Sequence, residues 1–264
     1  IYPHAHPLGR TLRGTALLPN GTERRLLEIA RWYAWADRPE AERDALRAAV
    51  SLLAAAHGPR DVRLAEPLRA IAASAVQSRN DEAGARAALE QALALDYPAT
   101  RDGVLARAAA LATRGDLEAV FRVPGAGNGW YRQAWDVVAA SPLAGADLAR
   151  RTFARPVPIR VTVPDAPFRS RRGNLEHFAA GTVAFAFTVS ADGTIEDLRL
   201  QRADAPMDSV PDPVLRAFRQ ARYRPRLVGG EPVATPDHGF ELRFRQDATR
   251  SPRPVTVGPA DQQR

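Results

Sequence analysis

The chain has 264 residues, 45% hydrophobic and 25% charged, enough for two domains that each bury a core. It has no cysteine, which excludes disulfides, thiolate catalysis and cysteine-based zinc sites, and no run of about 18 apolar residues able to span a bilayer. The net charge is +7 with a pI near 10.7, yet lysine is absent and all 37 basic residues are arginine. With abundant alanine this is the usage of a GC-rich bacterial genome, so the basicity is discounted as a sign of nucleic-acid binding.

Residues 1–21 form an N-terminal extension that begins at Ile1, as expected after removal of an export signal or a membrane anchor. His4 and His6 lie within it as a pair without further ligands, so no metal is expected there. Asn20-Gly21-Thr22 reads as a turn into a helix cap.

Residues 22–140 carry apolar side chains at helical spacing. In the first helix Leu26, Ile29, Ala30, Tyr33 and Ala34 share a stripe that stops at Asp37-Arg38-Pro39. A second helix runs from Glu40 to His57 and stops at Gly58-Pro59. A third covers about Asp61 to Ser78, and a fourth starts at Asn80 or Asp81 and ends before Tyr97-Pro98. LRAAVSL at Leu46 recurs as LEQALAL at Leu89, and RPEA at Arg38 as NDEA at Asn80, an offset of about 42 residues that suits helical-hairpin repeats. Residues 57–98 resemble a tetratricopeptide unit, with a looser copy at 105–121; an irregular helical bundle is the other architecture left open. Trp32, Tyr33, Trp35, Trp130, Tyr131 and Trp135 either line a concave binding face or, as expected for aromatics at helical spacing, pack between helices. GAGNG, Gly125 to Gly129, reads as a flexible loop, because no strand precedes it and its glycines do not fit a phosphate-binding pattern.

Residues 141–168 are rich in proline and lose the helical period, so they read as a linker. Arg150, Arg151, Arg155, Arg160, Arg169, Arg171 and Arg172 crowd in and around it, either as a solvated connector or as a contact for an anionic surface.

Residues 169–247 are read as a small α+β domain, and 248–264 as a flexible tail. Val183, Phe185, Phe187 and Val189 alternate onto one face of a strand, and Asp192-Gly193 supplies a tight turn. Ile195, Leu198 and Leu200 change parity, which predicts a bulge near Glu196 or Asp197. Val214, Leu215, Phe218 and Ala221 predict a helix from Pro211 to Tyr223, followed by the extended stretch YRPRLVGGEPV. A last strand puts Phe240, Leu242 and Phe244 on one side and Glu241, Arg243 and Arg245 on the other. The order is β-β-α-β, so the whole chain is expected to be α+β in two domains, all-α first.

That second domain resembles the C-terminal domain of TonB-family energy transducers. The likeness covers about Phe178 to Arg245 and rests on Gly181-x-Val183, the run ending at Asp192-Gly193, Tyr223-Arg224-Pro225, Gly230-Glu231-Pro232-Val233 and Phe240-x-Leu242-x-Phe244. The resemblance implies a three-stranded antiparallel sheet with helices on one side, working in the periplasm of a Gram-negative bacterium. It implies that a TonB-box segment of an outer-membrane receptor adds as a strand to a sheet edge. By the family's arrangement that edge is Phe240, Glu241, Leu242, Arg243, Phe244 and Arg245, with Arg243 and Arg245 able to meet acidic side chains. Family members usually carry an N-terminal membrane helix and a long proline-rich spacer; here the helical domain takes the anchor's place, and Val163-Pro164 is a poor match to the usual Tyr-Pro. The expectation is therefore periplasmic partner binding in the cell envelope, with energy transduction left open.

His57, His177 and His238 are scattered, His238 beside Asp237 starts a strand, and no serine sits in a nucleophile elbow. No enzyme activity, metal, cofactor or small-molecule substrate is expected, nucleic acid is an unlikely partner, and membrane contact would come only through an anchor or through partners. Two further functions remain in view: binding an anionic polymer through the arginines, and scaffolding through the helical repeats.

Overall fold

The computed structural model describes residues 22–36, 38–161, 181–204, 215–216 and 218–244. The chain is a mixed helix and sheet structure in which helices come first and strands follow. The expected N-terminal extension, the tail and the histidines His4, His6 and His177 lie outside the described residues, as does Arg245.

Helices α1 (Thr22–Trp35), α2 (Pro39–His57), α3 (Ala65–Ser78), α4 (Glu82–Leu93), α5 (Arg101–Phe121), α6 (Asn128–Ala139) and α7 (Gly145–Thr152) are stopped and started by local chemistry. Pro39 opens α2, where its missing N–H is no loss, and Gly58 closes it at φ +100°. The Asp81 carboxylate accepts the Gly84 N–H at 3.1 Å to cap α4, and the Thr100 hydroxyl accepts the Gly103 N–H at 3.2 Å to cap α5. Successive helices pack on one another, and α3 also packs on α5. Leu46, Leu53, Leu64, Leu68 and Ile71 form a core between the first three helices.

A second core lies between α5, α6 and α7, where α5 and α6 approach closely. A Cβ on Gly115 would fall 2.3 Å from the Tyr131 ring, and one on Gly127 would fall 2.3 Å from the Gly115 carbonyl. The two glycines leave the room that Tyr131 takes against α5. Tyr131 and Trp135 are buried in this core, as aromatics at helical spacing predict. Trp32 is 39% exposed and rests edge-on to Tyr33 at 5.1 Å.

The strands are β1 (Val157–Arg160), β2 (Gly181–Val189), β3 (Ile195–Asp204), β4 (Arg222–Arg224), β5 (Arg226–Val228), β6 (Glu231–Val233) and β7 (Thr235–Phe244). The main sheet is antiparallel with order β3-β2-β7, so β2 is central. Val183, Phe185, Phe187 and Val189 turn one face into a core closed by Phe218, Ala221 and Tyr223. Phe218 stacks on Phe185 at 5.6 Å and meets Phe187 edge-on at 5.1 Å. Each fully buried ring here contributes about 2 kcal/mol. The register of β2 against β3 slips between Ala186 and Thr188, opposite Asp197, which has φ +50°, so the predicted bulge is present.

Three expectations need correction. Residues 141–168 are not an open linker as far as Val161: Ala149 and Phe153 anchor α7 in the second core, and β1 pairs with β4. Proline raised the odds of an extended chain, but β1 is a short edge strand that tolerates Pro156 and Pro158. GAGNG is not a free loop, because Gly127 caps α6 and Gly125, at φ +80°, contacts the strand half. The helix expected to reach Tyr223 ends before Arg222, where β4 begins; Leu215, Arg216 and Phe218 are helical.

Candidate functional site

The main sheet has two edges among the described residues, β3 and β7. An edge offers unpaired backbone N–H and C=O groups to an incoming strand unless it is bulged, charged or covered. β3 is bulged twice, since its register against β2 slips between Ala184 and Phe185 and again between Ala186 and Thr188. It also carries Glu196, Asp197, Arg199 and Arg202 along a length of ten residues.

β7 divides into two parts. Its first part holds Pro236, which has no N–H, and Asp237 at φ +50°, and its register slips between Phe187 and Val189. Its second half is regular. Every residue from Gly181 to Phe187 pairs in unbroken register with Phe244 through His238. Phe240, Glu241, Leu242, Arg243 and Phe244 thus follow one another along a straight edge, with Glu241 exposed. Phe240 is half-buried, its ring 4.5 Å from Phe218. Of Leu242, Arg243 and Phe244 the strand position is defined, and their side chains lie outside the described set.

Two contacts brace this edge. Arg199 on β3 donates to Asp237 on β7 at 2.8 Å, and the pair spans the central strand at Ala186, which lies opposite Arg199 on one side and Gly239 on the other. Ala186 is buried beneath this bridge although it faces away from the aromatic core. His238 lies edge-on to the rings of Phe187 at 5.2 Å and Tyr223 at 5.6 Å, and its burial lowers its pKa below the ordinary 6.5.

The remaining motif residues do different work. Val183 is core, and Gly181 starts β2 opposite Phe244. Asp192 and Gly193 form the β2–β3 turn. Burial would raise the Asp192 carboxyl, but hydrogen bonds from the Ser190 hydroxyl and from the Thr194 hydroxyl and N–H outweigh it and hold the pKa below 3.8. Gly193 has φ +81°, and a Cβ there would fall 2.1 Å from the Tyr223 carbonyl oxygen. The turn then docks on the helices: Gly125 N–H donates to the Asp192 carbonyl at 3.1 Å, and the Asn128 amide donates to the Ala191 carbonyl at 3.1 Å.

Arg224, Pro225, Gly230 and Pro232 lie along β4, β5 and β6, against the helical half. Arg224 donates to Asp116 of α5 through Nε at 3.1 Å and through its terminal nitrogen at 2.6 Å, while the Tyr131 hydroxyl donates to the same carboxylate at 3.1 Å. The guanidinium also sits 5.7 Å from the centre of the Tyr131 ring. Arg224 and Asp116 side chains are 21% and 14% exposed, so this is a largely desolvated pair. Burial disfavours the Arg224 charge, yet Asp116 and Tyr131 more than restore it and raise its pKa above that of an ordinary arginine. Gly230, at φ +88°, packs on the Trp135 ring, and Arg132 of α6 donates to Glu231 at 2.9 and 2.6 Å. Sequence reasoning missed Asp116 and Asn128 and saw Tyr131 only as a packing or face aromatic, and the tight Gly115, Gly125 and Gly127 spacing was the signal that α5 and α6 meet closely there.

Among the described residues no group of three or more His, Cys, Asp or Glu is arranged to hold a metal ion, and no helix is long and apolar enough to cross a membrane. Comparison with protein-family models and with curated proteins finds no match.

Proposed function

We propose that the protein is a TonB-like, periplasmic interaction module that binds extended peptide segments of envelope or outer-membrane partners by adding them to β7 as a new strand. The observation that carries this is the contrast between the edges: β3 is bulged twice, whereas His238 to Phe244 runs in unbroken register along an edge no described strand covers. A peptide there gains main-chain hydrogen bonds with the edge of β7. The ordered motif from Gly181 to Phe244 supports the family resemblance, and the packing of α3 on both α4 and α5 supports a tetratricopeptide-like helical half. No catalytic role is proposed.

A TonB-box peptide titrated into the full chain by calorimetry tests this. Saturable heat is expected, abolished by Leu242→Pro, which removes a backbone N–H from the edge. Circular dichroism checks that the variant stays folded. Absence of heat at peptide concentrations of about 1 mM would sink the proposal.

A further inference from the structure

Several arginines here are matched by carboxylates: Arg47 with Asp81, Arg60 with Asp96, Arg86 with Glu82 and Glu118, Arg224 with Asp116. Arg79, Arg160 and Arg222 are not among these pairs, and they lie close enough to repel one another. They come from three elements, the C-terminal cap of α3, the end of β1 and the start of β4, where helices and strands meet. Arg160 and Arg222 are directly opposed in the β1–β4 ladder. Arg160 Nε donates to the carbonyl of Gln77 at 3.4 Å, two positions before Arg79, while the Gln77 amide donates to the Ile159 carbonyl, so β1 is held against the end of α3. Arg222 is held by the Gln220 and Ala221 carbonyls at 3.5 and 3.1 Å. No carboxylate among the described residues pairs with any of the three. The nearest acid in sequence, Asp81, is occupied by Arg47 at 2.8 Å, Arg43 at 3.8 Å and the Gly84 N–H.

Directly opposed like charges on paired strands destabilise a sheet, and among the described residues these two guanidiniums meet only neutral carbonyl oxygens. Burial first, then repulsion from Arg79 and from Arg222, lowers the Arg160 pKa. The carbonyl end of α3 offers about half a negative charge, which cannot neutralise three guanidiniums. An anion would.

We infer that Arg79, Arg160 and Arg222 form a binding site for a phosphomonoester group. A carboxylate has one charge and two oxygens and satisfies one guanidinium fork. A phosphomonoester carries close to two charges at neutral pH on three terminal oxygens, and so can accept from three guanidiniums at once. The mixed exposure suits such a ligand, with Arg79 open to solvent and Arg160 and Arg222 half-buried. The site is separate from β7 and does not depend on peptide binding there.

The test titrates inorganic phosphate into the full chain at low ionic strength, with chloride as the reference. Saturable binding at one site is expected, weakened about tenfold by Arg160→Gln and by Arg222→Gln and unchanged by Arg132→Gln, whose partner is Glu231. Should either strand variant fail to fold, Arg79→Gln, on an exposed side chain, carries the same expectation. Cosedimentation with vesicles containing phosphatidate, competed by inorganic phosphate, assigns the group to a lipid headgroup; binding of free phosphate alone assigns it to a soluble phosphorylated compound. No saturable binding up to about 10 mM phosphate, or binding that none of the three substitutions weakens, overturns the proposal. Neither result touches the peptide titration at β7.

Discussion

Arg224 on β4 grips Asp116 on α5 through two hydrogen bonds, 108 positions apart in sequence, with the Tyr131 hydroxyl on the same carboxylate. Removing one partner leaves the other charged and largely out of water. Arg224→Ala or Asp116→Ala is expected to cost about 3 kcal/mol in urea unfolding. The paired change Asp116→Leu with Arg224→Met removes both charges and should recover most of that loss, which a double-mutant cycle reads directly.

Gly193 and Gly229 both have positive φ, +81° and +59°, but only Gly193 faces an obstacle, the Tyr223 carbonyl oxygen 2.1 Å from an added Cβ. Gly229→Ala should cost about 1 kcal/mol, the penalty of the left-handed backbone alone. Gly193→Ala should cost at least about 2 kcal/mol more, because β4 must move away from the turn. Thermal unfolding midpoints of the two variants check the ranking.

His238 contributes a pH dependence whose sign follows from its lowered pKa. Below 6.5 the unfolded chain takes up the proton more readily than the folded one, so stability falls as pH drops from about 6.5 to the folded value and then levels. His238→Phe keeps a ring against Phe187 and Tyr223 and cannot be protonated. Its advantage over the parent chain in urea midpoint should therefore be larger at pH 5 than at pH 7.5.

Asp192 acts in the opposite direction. Its lowered pKa means that its ionised form stabilises the turn above 3.8, and that this contribution disappears as pH falls through the folded value. Asp192→Ala should cost about 1.5 kcal/mol at pH 7 through the lost acceptor for Ser190 and Thr194. The gap between variant and parent should narrow in acid titrations below pH 3.8.

The helical half and the β2–β3 hairpin were legible because their signals are local. Pro39, Gly58 and Asp81 mark helix ends through their own backbones or side chains, and alternation from Val183 to Val189 marks a strand by itself. The Asp197 bulge was legible from a parity change within six residues. β1 and α7 were not, since Val157–Arg160 becomes a strand only by pairing with β4, more than sixty positions away, and prolines around it point elsewhere. The same limit hid the role of GAGNG, whose flexibility by composition is cancelled by Asp192 and Ala191. For the edge, alternation placed Phe240 and Phe244 in a strand, while the position of that strand at the rim of the sheet required the pairing order. The three-arginine cluster had no sequence signature beyond arginine itself, which occurs 37 times.

The docking of the β2–β3 turn on Gly125 and Asn128 also sets how load would pass through the molecule. A pull along β7 shears its ladder with β2 lengthwise, and β2 runs straight into the turn that the helices hold. The Arg224–Asp116 clamp is a second tie between the strands and α5. Edge strand, turn and helices are therefore connected in series, so tension on a strand bound as proposed would be carried into the helices and would not stop at the sheet.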